Sequence, residues 1–329
     1  MASSKERRRM FETNNKDGLE SKKVVLDMGR RILAYEMATS GKEIPPVCFN
    51  YEPDVTALME RFKSLKQNSG LTISLNTLVM RCVVEGLKKA PVLNSHLDYK
   101  YMSARGTLTM YDHININMPT ILPDGSMQAV NIKKAESMTL KELDVAVNNL
   151  MEMLDDPLLF GHAQVSLAIE QTMRFIKRGR LATGVTRLFW AVCGKERIKV
   201  AGHDNLIKLA VASEKRKKEV ESNRIIHKSD LEEGTVMVTN IGSLYKEMSG
   251  NVTMFEIIPP EIFAVALGSI QRRAVVRTDD DGNEVIKPAT ILPMALVFDH
   301  KAVDFGDIIP FIKRIDNICA NPQEIDSWL

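Results

Sequence analysis

Several stretches of this 329-residue sequence place apolar residues at helical spacing. In "VTALMERFKSLKQNSG" they line one face, which predicts an amphipathic helix that ends at Gly70. "SLNTLVMRCVVEGLKKAP" is apolar around most of its circumference, so we expect a central helix there, with Ser74 as its N-cap. Further helices are predicted for residues 24–40 and for "LKELDVAVNNLMEML", which Thr139 would cap.

Shorter apolar runs predict the strands "VCFNYEPDV", "GTVMVTNIG", "EIFAVALGSI" and "ATILPMALVF". Residues 99–132 alternate and predict a strand pair or meander that turns at Pro123-Asp124-Gly125. The acidic stretch 279–283 lacks the spacing of a calcium loop, because Arg277 stands at a ligand position, so we expect a hairpin turn. Strands alternate with helices, and this order predicts an α/β fold with a mixed central sheet.

Composition narrows the classes of protein. Hydrophobic residues make up 44% and charged residues 26%, as in globular proteins, and the net charge of +2 does not point to nucleic acid. The four cysteines are widely spaced and contain no C-x-x-C pair, so we expect no metal site and no disulfide framework. No signal peptide or transmembrane run is visible. These features predict a cytoplasmic protein.

Titratable residues follow the apolar run 295–298 directly. Asp299, His300 and Lys301 end the predicted strand, and Asp304 comes four positions after the histidine. An imidazole at a strand end can act as a general base near neutral pH, and an aspartate there can cap the next helix. On spacing alone, a turn histidine followed by a helix cap is the simpler interpretation.

Several segments of the sequence together resemble a known protein family. "FDHKAVDFG" resembles the D-H-R-x-x-D-G signature of the dihydrolipoamide acyltransferase core of 2-oxo acid dehydrogenase complexes, and chloramphenicol acetyltransferases carry a related H-x-x-x-D-G. "PVLNSHLD", "HININMPTILPDGSMQAVNIKKAESMTLKEL", "GTVMVTNIGS" and "IIPPEIFAVALGSIQRRAVV" resemble further segments of that core, in order. The resemblance covers residues 24 to about 155 and 222–329. It implies a chloramphenicol-acetyltransferase-like two-layer sandwich.

The resemblance also implies roles for individual residues. His300 matches the general base, and Thr239 matches the hydroxyl that donates to the tetrahedral oxyanion, a contact worth roughly 3 kcal/mol. Asp304 would hold the loop, with Arg30 or Arg31 as the candidate arginine partner. The residues expected to bind substrate or coenzyme A are Asn240, Gly242, Asp299 and Lys301.

The family also implies the reaction and the assembly. Coenzyme A or acyl-CoA would be a substrate, with no bound cofactor and no metal. The active site would lie between subunits of a homotrimer, and the C-terminal "IDSWL" would join trimers to one another. No lipoyl attachment site is visible in this sequence, so the acyl group would come from free acyl-CoA or from a separate lipoyl protein. The acceptor would be a thiol, a hydroxyl or an amine.

Two departures from the signature bear on activity. Lys301 replaces its arginine, and Phe305 replaces its glycine, with Gly306 one place later. A phenylalanine would be strained at position 305 if the loop required a positive φ there. The expected function is therefore an acyl-CoA-dependent acyltransferase. The alternatives are a non-catalytic scaffold of the same fold and a lipoyl-dependent transferase that works in trans.

The resemblance leaves two segments unexplained. Residues 1–23 are polar and predict a flexible tail before a catalytic domain at 24–329. Residues 156–221 predict a helical insertion that packs on the core or on a neighbouring subunit. A lid, an acceptor-binding element and an interfacial membrane contact are the alternatives for this insertion. His162 and His203 lie in it, and we expect both at the surface.

Overall fold

The computed structural model describes most of the chain, and its described residues are 11–16, 19–24, 26, 28–69, 72–121, 127–156, 158, 163, 166, 170, 172–173, 181–192, 206–219, 226–232, 234–245, 247, 250–253 and 256–329. The predicted turn at Pro123–Gly125 lies outside these residues, as do His162, His203 and much of the predicted insertion at 156–221.

The helices and strands are numbered here in chain order. The helices are α1 (Met28–Glu43), α2 (Thr56–Ser69), α3 (Leu75–Lys89), α4 (Leu140–Leu154), α5 (Leu181–Val192), α6 (Leu206–Glu219) and α7 (Phe305–Ala320). The strands are β1 (Phe11–Lys16), β2 (Leu19–Val24), β3 (Pro46–Tyr51), β4 (Ser95–Lys100), β5 (Arg105–Met110), β6 (Ile116–Ile121), β7 (Met127–Ile132), β8 (Val236–Asn240), β9 (Phe263–Leu267), β10 (Gln271–Thr278), β11 (Glu284–Ile291) and β12 (Met294–Asp299). A 3₁₀ helix, Pro322–Trp328, follows α7.

The chain divides into two compact units. One unit comprises residues 1–38, 120–130 and 149–232, and it contains the β1–β2 hairpin, α5 and α6. The other comprises residues 39–119, 131–148 and 233–329, and it contains β3, β8, β9 and β12 with helices α2, α3 and α7. We call the second one the sheet unit, because it holds most of the main sheet.

The main sheet has six strands in the order β3-β12-β9-β8-β6-β7. Strand β12 is antiparallel to β3 and to β9, whereas β8 is parallel to β6 and to β9, so the sheet is mixed as predicted. Every residue of β9 and β12 is buried. Their continuous apolar sequences reflect burial of both faces of the sheet.

Helix α7 is fixed to the sheet and to α3 by one aromatic side chain. Phe311 lies edge-on to Phe263 of β9, with ring centroids 5.3 Å apart. On its other side, a Cβ atom added to Gly86 of α3 would lie 2.6 Å from the Phe311 ring. A glycine is therefore required at 86 for the two helices to approach this closely, and α7 has a defined position over the sheet.

Most predicted elements are confirmed in the described residues. Ser74 caps α3 by accepting a hydrogen bond from the Thr77 amide, and Thr139 and Glu142 form a reciprocal capping box at α4. The acidic stretch 279–283 is a hairpin turn between β10 and β11, with Gly282 at φ +85°.

Two predictions need correction. The predicted tail, residues 1–23, contains most of the β1–β2 hairpin, in which β1 pairs with β2 in antiparallel register. "ATILPMALVF" is two strands, because Pro293 cannot donate a hydrogen bond and separates β11 from β12. The predicted role of the C-terminal end in joining trimers stays a prediction; Ile325 and Trp328 of this end are buried within the chain.

Candidate active site

His300 lies in a short loop between the central strand β12 and helix α7. The strand ends at Asp299, and Asp304 is the N-cap of the helix, as the sequence predicts. The carboxylate of Asp307 accepts a hydrogen bond of 2.8 Å from the Asp304 amide, which satisfies one amide of the first turn. The loop is therefore held at both of its ends by regular structure.

Asp304 also pairs with the histidine itself. Its Oδ1 atom lies 3.2 Å from Nδ1 of His300, and both side chains are well exposed, at 79% and 53%. A carboxylate this close to Nδ1 favours the imidazole tautomer with its proton on Nδ1, which leaves the Nε2 lone pair available. This is the tautomer that a general base requires. The predicted arginine partners of Asp304 are not tested, because Arg30 belongs to the other unit and the Arg31 side chain lies outside the described residues.

Asp299 holds the loop in place through hydrogen bonds with its amides. Its side chain is buried, and Oδ1 accepts a hydrogen bond of 2.9 Å from the Lys301 amide. Its main-chain carbonyl accepts from the amides of Ala302 and Val303, at 2.9 and 3.2 Å. Burial raises the pKa of the Asp299 carboxyl above its ordinary value, and contacts with Lys301 oppose this rise. Asp299 is thus a loop anchor, in addition to its predicted substrate role.

Lys301 reaches from the loop into an aromatic cage. Its ammonium donates to the Glu43 carbonyl at 2.5 Å and to the Tyr101 hydroxyl at 3.3 Å, and it lies 3.4 Å from Asp299 Oδ2. The rings of Tyr99 and Tyr101 lie 5.7 and 5.5 Å from it, within cation–π range. We call this group the lysine cage. It ties the His300 loop to the end of α1 and to the β4–β5 hairpin.

Phe305 fits its position without strain. It is the first residue of α7, and the positive φ values outside glycine in the described chain belong to Ala104 and Lys134. Its ring packs edge-on against Phe49 of β3, with centroids 5.0 Å apart. The concern that phenylalanine would strain the signature loop is therefore resolved. A side chain at Gly306 would meet no neighbouring atom, so the glycine there has no steric role.

Thr239 lies at the opposite end of the sheet from His300. It is paired with Ala266 of β9, and Ala266 is paired with Ala295 of β12, five residues before the histidine. These registers separate the two side chains by roughly 17 Å along the strands and roughly 10 Å across them. Within one chain, Thr239 and His300 do not form a common site.

The residues that follow Thr239 have local structural roles. The side-chain Nδ2 of Asn240 donates to Asn76 Oδ1 at 2.8 Å. The Oδ1 atom of Asn240 accepts from the main-chain amide of Ser243 at 2.9 Å. A Cβ atom at Gly242 would lie 2.4 Å from the Gly268 carbonyl oxygen, so only glycine fits there. In the part of the chain that the structure describes, no hydrogen bond to the Thr239 hydroxyl is present, and this side chain is partly exposed.

Sequence reasoning missed the lysine cage. Tyr99, Tyr101 and Glu43 stand far from Lys301 in the sequence, and the two hydrogen-bonded partners are separated from it by 200 and 258 positions. No local pattern links them. One local signal was present. Lysine replaces the signature arginine at position 301, which indicates that the surroundings of this residue also differ from those in the family.

Comparisons with known proteins identify the family of this chain. The family model "2-oxoacid dehydrogenases acyltransferase (catalytic domain)" matches residues 19–159 and 197–326. The acetyltransferase component of the pyruvate dehydrogenase complex of Mycoplasma genitalium is 22% identical over 300 residues, which cover 90% of this chain and 57% of that protein. The chain therefore spans about half the length of the curated relatives it matches.

Solved structures show the same fold. A probable dihydrolipoamide acetyltransferase from Listeria monocytogenes matches with a TM-score of 0.58 and 19% identity, over 93% of this chain and 95% of that one. The Azotobacter vinelandii dihydrolipoamide acetyltransferase matches with a TM-score of 0.59 and 17% identity, over 93% and 94%. The chain belongs to the 2-oxoacid dehydrogenase acyltransferase catalytic-domain family. The family model leaves residues 160–196 unmatched, a stretch inside the predicted insertion of 156–221 and shorter than it.

Proposed function

We propose that this protein transfers an acyl group between a coenzyme A thioester and a thiol, hydroxyl or amine acceptor, with His300 as general base. The observation that carries the proposal is the His300–Asp304 pair on a loop held by β12, α7 and the lysine cage. The pair leaves Nε2 free to take a proton, and the loop holds the imidazole in one place.

The chemistry is a direct transfer. Nε2 of His300 removes the proton from the acceptor as the acceptor attacks the thioester carbonyl carbon, and a tetrahedral oxyanion forms. Collapse of this intermediate re-forms the carbonyl and breaks the carbon–sulfur bond, and the coenzyme A thiolate takes the proton from His300. The Thr239 hydroxyl donates a hydrogen bond to the oxyanion, where a preorganised donor lowers the barrier by about 3 kcal/mol.

The separation of Thr239 and His300 requires two chains at each site. We propose a homotrimer or a multiple of trimers, in which His300 of one subunit works with Thr239 of the next. Since cyclic trimers bring two different surface patches together at every interface, one such contact repeats three times and closes the ring. The proposal is supported by the opposite positions of the two residues on the sheet.

Asp299 and Lys301 hold the loop in this proposal, and Asn240 and Gly242 shape the strand end that carries Thr239. Lys301 and Asp299 face each other and are largely buried, so their charges are already paired within the chain. A scaffold without activity is not favoured, because the histidine keeps both its carboxylate partner and its exposed ring.

The acyl donor can be free acyl-CoA or a separate lipoyl protein. The second source has support from the curated relatives, which are named dihydrolipoyllysine-residue acetyltransferases. Transfer from acyl-dihydrolipoamide to coenzyme A, compared with transfer from acyl-CoA to small hydroxyl or amine acceptors, distinguishes the two sources.

The test is release of coenzyme A thiol by wild type and by His300→Ala. Loss of the base should reduce turnover by about 10²- to 10⁴-fold. A matched control is His113→Ala, because His113 is equally exposed and also pairs with a carboxylate, Glu136, at 2.8 Å. Full activity in His300→Ala would overturn the mechanism, and an equal loss in both variants would indicate a general effect on folding.

A further inference from the structure

The β10–β11 hairpin has an outer face that is apolar and exposed. Its register pairs Val276 with Ile286 on the same side of the two strands. These side chains are 64% and 76% exposed, and in the described chain no large apolar side chain is more exposed than Ile286. Ala274 and Pro288, the next pair on that side, are exposed as well. The four residues form an apolar patch in the middle of what is called here the hairpin face.

The inner face of the same hairpin is fixed to the sheet unit. Ala289 is buried there. Arg273 donates to Glu52 at 2.7 Å, and Arg277 forms an ion pair with Asp54. Because these contacts hold the inner face in place, the hairpin face points away from the rest of the sheet unit in a defined orientation.

The two ends of the hairpin face carry opposite charges. Arg272 is exposed on the outer side, four residues before Val276, and Asp280 and Asp281 are exposed in the turn that follows β10. Within the described part of the chain, the side chains of these three charged residues have no ionic or hydrogen-bonded partner. The face is therefore basic at one end, apolar in the middle and acidic at the other end.

We propose that the hairpin face docks on the same face of a second copy of this chain, with the two hairpins antiparallel. A two-fold axis that crosses the strands at the Val276–Ile286 pair lays the apolar patch of one copy on that of the other. The same axis brings Arg272 of each copy to the acidic turn of its partner. A parallel arrangement would bring the two acidic turns together, where like charges repel.

The size of the face sets the strength of this contact. Strands of eight residues span roughly 27 Å, and two strands are roughly 10 Å wide, so each copy covers roughly 270 Å². Stable interfaces bury about 800 Å² per partner. A single hairpin contact is therefore weak and depends on concentration, and it tightens where an assembly presents several hairpins at once. It pairs identical patches, whereas the contact proposed for the trimer joins two different ones.

Sedimentation equilibrium of the full chain over a range of concentrations measures the dissociation constant of this pairing. Ile286→Lys should raise the constant at least about tenfold, because the two-fold axis places the lysines of the two copies against each other. Leu244→Lys is the matched control, since Leu244 is 61% exposed in the sheet unit and lies outside the hairpin. It should leave the constant unchanged. Both positions are exposed, so the fold should be retained.

Charge reversal tests the antiparallel arrangement. Arg272→Asp should weaken pairing about tenfold, because it sets a carboxylate against the acidic turn of the partner. Adding Asp280→Lys and Asp281→Lys should bring the constant back to within about threefold of wild type, since opposite charges meet again.

Three results would overturn the proposal. Wild type and Ile286→Lys could have the same mass at every concentration, the control could weaken pairing as much as Ile286→Lys does, or the reversed turn could fail to restore pairing. Pairing is measured without substrate, so this proposal and the proposed acyl transfer fail independently.

Discussion

The ammonium of Lys301 lies 3.4 Å from Oδ2 of the buried Asp299, and the two residues flank the histidine on either side. This pair is the internal support of the His300 loop. It is also where the chain departs from the family signature, with lysine in place of arginine. The lysine cage therefore offers a direct test of whether Lys301 positions the loop or binds the substrate.

Lys301→Met should lower kcat with little change in KM for acyl-CoA. The change removes the charge that joins the loop to Glu43 and Tyr101, so the imidazole loses its position while the coenzyme site remains. A tenfold loss in kcat is the expected order of magnitude. Steady-state kinetics with acyl-CoA varied would measure both constants.

Lys301→Arg is the conservative control. A guanidinium keeps the charge and stacks on aromatic rings, so most of kcat should return. A rise in KM with kcat unchanged in Lys301→Met would contradict the positioning role and would indicate a contact with coenzyme A instead.

The stability of the Lys301→Met variant should depend on pH in a direction that the structure defines. The pKa of Asp299 is raised in the folded protein, so its contribution to stability is largest below its ordinary pKa of 3.8 and falls as pH rises through the raised value. Removing Lys301 raises that pKa further. The destabilisation of Lys301→Met should therefore grow between pH 4 and neutrality, measured by urea unfolding; a constant difference would show that Asp299 and Lys301 are not coupled.

The contribution of Glu85 to stability should depend on pH with the opposite sign to that of Asp299. Although its burial opposes ionisation, Lys88, Arg81 and Arg314 surround it and hold its pKa below the ordinary 4.5. Its contribution is thus present above pH 4.5 and is lost as pH falls through the lowered pKa. Glu85→Gln should cost about 3 kcal/mol at neutral pH, because two arginines lose a buried partner, and the cost should shrink in acid.

Glu60→Gln is the control for this substitution. Glu60 is exposed on α2, so the change should alter the free energy of unfolding by less than about 0.5 kcal/mol. Thermal unfolding at several pH values compares the two. An equal effect of both substitutions would show that the charges around Glu85 are not the cause of the lost stability.

Thr239→Val should reduce kcat by about 10²-fold to 10³-fold, since one oxyanion donor is lost. Thr239→Ser keeps the hydroxyl and should retain most activity. If the valine and serine variants are equally impaired, the hydroxyl has no role in the reaction.

Mixed assemblies test the two-chain site directly. Chains with His300→Ala and chains with Thr239→Val should each be strongly impaired, but a site formed by Thr239 of the first and His300 of the second is intact. After unfolding and joint refolding in equal amounts, random assembly should restore about a quarter of wild-type activity. Refolded mixtures without any recovery would show that both residues act within one chain, or that Thr239 does not act.

Much of this architecture was predictable because it is local. The period of apolar residues gave α2, α3 and β12, and Asp304 stood where a helix cap belongs. The position of His300 after a buried strand also follows from the sequence alone. The pairing of Asp304 with His300 was less accessible, since a residue four positions away can equally cap a helix or contact the ring.

Non-local contacts were not predictable. The lysine cage joins three distant segments, and the distance between Thr239 and His300 depends on the register of three strands. The β1–β2 hairpin was missed for a different reason: its strands are polar and lack apolar alternation, so only the Asp17-Gly18 dipeptide indicated a turn.

The burial of Trp328 gives the chain a built-in optical reporter. Its indole lies 5.8 Å from the Arg81 guanidinium and is almost wholly buried, although it is the next-to-last residue. The chain has only two tryptophans, so Trp190→Phe leaves this one as the single indole emitter. Emission from that variant should shift to longer wavelength when the C-terminal 3₁₀ helix detaches, which would separate local release of this end from unfolding of the sheet unit.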